Sequence, residues 1–96
     1  MYLGAYEFEG DPDALLVAYE RLVAGFAPGA LTFHVCIRHD EGITVLDACP
    51  THTVFSGFST SSEFLGAVER SGLPTPRVHG LGEIHATQIA PRHLPA

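Results

Sequence analysis

A chain of 96 residues, 46% hydrophobic and 17% charged, has the length of one domain and enough apolar material for a small core. Acidic residues outnumber basic ones 11 to 5, giving a formal charge of −6, and every basic residue is Arg, so no basic stripe exists to neutralise phosphates and nucleic acid is not expected as a partner. The first ten residues, MYLGAYEFEG, hold neither a positive segment nor an apolar run, and no window approaches bilayer length, so a soluble, cytoplasmic protein without a membrane partner is expected.

Residues 2–9, YLGAYEFE, alternate with a period of two and predict a strand. GDPD stops it: Asp11 suits a helix N-cap and Pro12 the first helical turn, where its missing N–H costs nothing. Leu15, Tyr19, Leu22, Val23 and Phe26 then recur at helical spacing, and Gly25 with APGA (27–30) closes the helix. LTFHVCIR (31–38) and ITVLDAC (43–49), joined by HDEG, read as a hairpin. Residues 50–72 read as a helix in two pieces. The first carries Val54, Phe55 and Phe58, and the second opens on Thr60 and Glu63 at capping-box spacing and buries Phe64, Leu65 and Val68. Gly72 ends that helix, LPTP forbids continuation, and a last strand is expected over roughly 77–89, followed by a loose tail, 90–96.

The order β-α-β-β-α-β in a single domain, 1–96, predicts an α+β fold of the ferredoxin-like kind, a four-stranded antiparallel sheet with two helices on one face. Cys36 and Cys49 are expected to remain thiols, because hairpin pairing of Cys36 with Val45 or Leu46 puts Cys49 about 10 Å further along the sheet, beyond the ~7 Å reach of a disulfide. Both strand parities carry apolar residues: Phe33, Val35, Ile37, Ile43 and Val45 on one, and Leu31, Leu46, Leu81 and Ile89 on the other. A wet second face would expose more apolar surface than monomers usually tolerate, so a homodimer with sheets packed face to face is expected.

His34, Gly42, Val45, Asp47, Phe55 and Phe58, with His85 near the end of the last strand, form a run that resembles the dimeric α+β barrel superfamily, in particular the small antibiotic-biosynthesis-monooxygenase-like proteins of actinobacteria. Thr51 stands where that group usually has Ser, Thr53 where it has Glu, and Cys49 where it has Trp. The resemblance spans nearly the whole chain and implies a dimeric barrel with a pocket between helices and sheet, used by various members for oxygenation of polycyclic phenols or for haem degradation. The chain has no Asn and no Trp, residues on which the characterised oxygenases and haem-degrading members lean.

His34 and Cys36 share one strand face. In an unbroken last strand His79, Leu81, Glu83 and His85 share another, and a bulge at GLG (80–82) would reverse it. His34 and His85 are the candidate catalytic residues, as a polar pocket group or general base, and Phe55, Phe58, Phe64 and Asp47 the candidate pocket. If a dimer brings the second strand of one copy beside the fourth of the other, His34, Cys36, Glu83 and His85 would suit a borderline metal, yet no ligand-spacing motif supports one and no cofactor is assigned. The alternative for Cys36 and His34 is ordinary core lining, and for Asp47 an ion pair with His34 or Arg38 or a helix cap. Function therefore stands between a binder or enzyme for a small hydrophobic or aromatic molecule and a non-catalytic interaction module.

Overall fold

The alternation at the start of the chain becomes β1 (Tyr2–Glu9) in the computed structural model, which describes residues 1–27 and 32–89. The elements that follow are α1 (Pro12–Ala24), β2 (His34–His39), β3 (Gly42–Cys49), α2 (His52–Ser59), α3 (Ser62–Ser71) and β4 (Arg77–Glu83). All strands pair antiparallel in one sheet of order β2-β3-β1-β4, as in the ferredoxin-like arrangement. The central strands are therefore β3 and β1, with β2 and β4 at the edges.

Local chemistry sets the helix ends. The Asp11 carboxylate accepts from the Ala14 backbone N–H at 3.0 Å, with Pro12 as the first helical residue. Thr51 caps α2 in the same way, accepting from Val54 N–H at 3.1 Å. The second break falls one residue later than the sequence predicts: Ser61 rather than Thr60 caps α3, accepting from Phe64 N–H, while Thr60 ends α2 and donates to the Ser56 carbonyl. Gly72 closes α3 with φ at 95°, a left-handed conformation natural to glycine.

Register places Tyr2, Gly4, Tyr6 and Phe8 of β1 beside Cys49, Asp47, Val45 and Ile43 of β3, and His34, Cys36 and Arg38 of β2 on the same face. This face meets the helices: α1 lies over β2 and β3, α2 over β1, β3 and β4, and α3 against both other helices. The core is Tyr6, Phe8, Leu15, Ala18, Ile43, Val45, Cys49, Phe55, Phe64, Val68 and Leu73. Gly4 is required there, since a Cβ would collide with the Phe55 ring, which lies directly on the strand.

Three expectations about the sheet are corrected. Val35 and Ile37 pair with Leu46 and Thr44, so they lie on the outer face, opposite to Ile43 and Val45, with which the parity argument had grouped them. The last strand ends at Glu83, not near 89; beyond it only the Ile84 N–H continues the pairing, donating to the Met1 carbonyl at 2.7 Å, and Ile89 is 75% exposed. A register shift between Leu3 and Gly4 leaves Leu81 as an extra residue, so His79 lies opposite Ala5 on the outer face whereas Glu83 lies opposite Tyr2. GLG therefore holds the bulge that separates His79 from Glu83. Leu31 and the tail 90–96 lie outside the described residues.

Candidate functional site

β2 and α1 together build the polar part of the interior. His34 opens β2 facing the helices, directly opposite Asp47 of β3, and Tyr19 reaches it from the inward stripe of α1. The Tyr19 hydroxyl lies 2.6 Å from His34 Nε2, with the two rings stacked at an interplanar angle of 11°. On the other side, His34 Nδ1 lies 3.9 Å from Asp47 Oδ1, an electrostatic contact too long for a hydrogen bond. Burial pushes the Tyr19 phenol above its usual pKa, with the Cys36, Glu20 and Asp47 charges adding to the shift, so it keeps its proton.

Asp47 is 8% exposed, and among the described residues its Oδ1, His34 Nδ1 and the Tyr6 hydroxyl are buried without a hydrogen-bond partner. Such groups are rare and costly, each about 1–3 kcal/mol. Desolvation raises the Asp47 pKa, and the neighbouring His34 offsets only part of that rise. Tyr6 is raised above the ordinary phenol range by burial first, then by Cys49 and Asp47. Two unsatisfied polar atoms, His34 Nδ1 and the Tyr6 hydroxyl, therefore accompany an unsatisfied carboxylate oxygen of shifted acidity, the pattern expected where chemistry or a polar ligand group is to be accommodated.

An apolar cleft of about 280 Å³ opens beside this carboxylate. Asp47 and Cys49 from β3 form its floor, Val54 and Phe58 of α2 one wall, and Phe26 with Thr32 the other. Of the four candidate pocket residues, Asp47 and Phe58 border this cleft. Phe55 and Phe64 instead fill the core, packed on Tyr6 with centroid distances of 6.3 and 5.2 Å. Phe58 reaches both environments, 4.7 Å from Phe64 on its other side.

The two candidate histidines are not neighbours within one chain. His34 sits under α1 on one edge strand, and His85 follows the opposite edge strand, lining a 470 Å³ cleft with Leu3, Phe33 and Leu81 on the outer side. Cys36 is half-buried against the core, its pKa pushed up by burial, so it is a protonated, packed side chain. Arg38 pairs with Asp13 at 2.8 Å and not with Asp47, which leaves His34 as the carboxylate's basic neighbour among the described residues. Among the described residues no three His, Cys, Asp or Glu side chains of one chain are grouped to hold a metal ion.

Tyr19 is the neighbour of His34 that the sequence did not single out. Its place on the buried stripe of α1 is visible in the periodicity, but its vertical alignment with His34 depends on how α1 crosses β2. Tyr6 is similar: an alternating strand residue with nothing in the sequence to show that its hydroxyl ends beside a carboxylate. Comparison with known protein families, with characterised proteins and with solved structures gives no match for this chain.

Proposed function

We propose that this chain is a homodimeric α+β barrel protein that binds a small hydrophobic or aromatic molecule in the cleft beside Asp47, in the manner of the antibiotic-biosynthesis-monooxygenase-like proteins it resembles. The observation that carries this reading is the Tyr19–His34–Asp47 row, held buried with two unpartnered atoms at the edge of an apolar cleft. A fold optimised only for stability replaces such a group with an apolar one of similar size. A ligand hydroxyl entering the cleft would donate to Asp47 Oδ1, with His34 and Tyr19 in a row behind the carboxylate. A carboxylate whose pKa is raised by burial is a better proton acceptor than an ordinary surface one, so proton abstraction from a bound phenol or enol is the chemistry this arrangement favours. A thermal-shift screen of neutral aromatic hydroxy compounds is expected to find ligands whose stabilisation is lost in His34→Ala, while methoxy analogues bind about tenfold more weakly for want of the donor. Equal binding of hydroxy and methoxy compounds by both proteins would contradict the polar role of the row.

The homodimer rests on the outer sheet face. Leu3, Ala5, Val35, Ile37, Leu46 and Leu81 lie there with no helix over them, Ile37 at 41% exposure and Leu81 at 56%. The polar groups beside them on this face are already paired, His79 with Glu7 at 2.6 Å and His39 Nε2 with Thr44 Oγ1 at 3.0 Å, which leaves the apolar side chains as the surface for a second copy. Ile37→Glu is expected to leave a folded chain whose sedimentation mass at micromolar concentration is half that of the parent. A parent that sediments as a monomer would contradict the dimer. The interaction-module reading draws support from one observation, the filling of the space between α2, α3 and the sheet by Phe55 and Phe64, which confines the cleft to the margin of the core.

A further inference from the structure

Four arginines lie among the described residues, and two of them behave as arginines in an acidic protein should. Arg38 has the Asp13 carboxylate at 2.8 Å, and Arg77 shares a hollow with Glu7, Glu9 and Glu41. The other two, Arg21 near the end of α1 and Arg70 near the end of α3, line one cleft of about 290 Å³ together with Leu22, Phe26 and Ser71. None of the lining residues described is acidic, neither arginine pairs with a carboxylate among the described residues, and the sequence from Ala27 to Leu31 beyond Phe26 carries no charge. Two like charges thus line one cleft with no acidic residue among the lining to offset them.

Part of the placement is structural. Arg21 Nη1 donates to the Ser71 carbonyl at 3.2 Å, and positive charge near the ends of α1 and α3 favours the helix dipoles. That role uses one N–H of Arg21 and explains neither its remaining donors nor why Arg70 lines the same hollow.

We propose that this cleft binds a small organic acid, its carboxylate or phosphate held by Arg21 and Arg70 and its apolar part resting on Leu22 and Phe26. The guanidinium fork matches either oxyanion geometrically, and the cleft supplies apolar surface that a bare inorganic ion would not use. The net charge of −6 does not forbid it: at 0.1 M salt charges beyond about 10 Å are screened, and neither guanidinium is paired with a carboxylate among the described residues. The site is distinct from the cleft beside Asp47, and it stands whether or not that cleft takes a ligand. Phe26 lines both.

The test titrates the full chain with benzoate, with phenyl phosphate and with neutral benzamide at constant ionic strength, following the arginine Nε–H signals by NMR. Saturable shifts at Arg21 and Arg70 with one or both acids, and none with benzamide, are expected. The tighter of the two acids identifies the oxyanion. Arg70→Gln, its fold checked by circular dichroism, is expected to weaken binding about tenfold, the size of one charge-assisted pair, with partial recovery in Arg70→Lys. Shifts that never saturate with either acid, equal response to benzamide, or unchanged affinity in a folded Arg70→Gln would each overturn the proposal.

Discussion

Asp47→Asn is expected to raise the melting temperature at pH 7.5 while weakening ligand binding at the adjacent cleft by about tenfold or more, the two effects in opposite directions from one substitution. The folded-state pKa of Asp47 is raised, chiefly by burial and despite the nearby His34. As pH climbs past the ordinary carboxylate value of about 4, the unfolded chain releases this proton before the folded one does. Over that range the folded state holds more protons, and unfolding free energy falls as pH rises. Above it the deficit persists, because the ionised carboxylate is then buried beside Tyr6, Cys49 and an imidazole too distant to hydrogen-bond. Asn removes the ionisation and with it the deficit, so the stability gap between variant and parent should be present at pH 7.5 and vanish below about pH 4. Melting curves across pH check the first half and calorimetric titration of a screened ligand the second. A variant less stable than the parent at pH 7.5, with unchanged affinity, would make Asp47 an ordinary structural residue.

Ile43→Ala is expected to cost about 3 kcal/mol, and hence to lower the melting temperature by roughly 12–24 °C in a domain of this size. Ile43 is 0% exposed at the junction of β3 with β1, opposite Phe8, in a sheet that one layer of helices covers. Its removed atoms leave a cavity that the paired strands on either side cannot close by collapsing. Total stability of small domains is about 5–15 kcal/mol, so the variant stays folded at room temperature and loses much of its margin. Denaturant unfolding measures it. A loss below about 1 kcal/mol would mean the sheet-helix seam repacks far more freely than close-packed cores do.

Most of the fold was legible because it rests on local signals. Asp11 before Pro12, HDEG between two β-rich runs, and Gly72 before LPTP each specify an element boundary through a backbone requirement that no distant residue alters. The sheet order followed from the element order. What was not legible depended on register and crossing geometry. Phe33, Val35 and Ile37 looked like partners of Ile43 and Val45 by composition, but a one-residue offset in pairing decides the face, and the two-residue turn at Asp40–Glu41 set it the other way. The bulge at GLG was marked by its glycines, yet its consequence for His79 and Glu83 needed the partner strand. For the site, His34 and Asp47 were visible as polar residues in apolar strands. Tyr19 was hidden among core aromatics, and Phe55 and Phe64 were assigned to a pocket because a sequence shows that an aromatic is buried without showing what fills the space around it.

Native mass spectrometry of the freshly purified protein and of Asp47→Asn, each before and after incubation with the neutral aromatic hydroxy compounds of the thermal-shift screen, tests the proposed function most directly. The parent is expected to fly as a dimer carrying small-molecule mass that the variant dimer does not retain. Monomer ions from the parent, or bare dimers from both proteins after incubation, would contradict it.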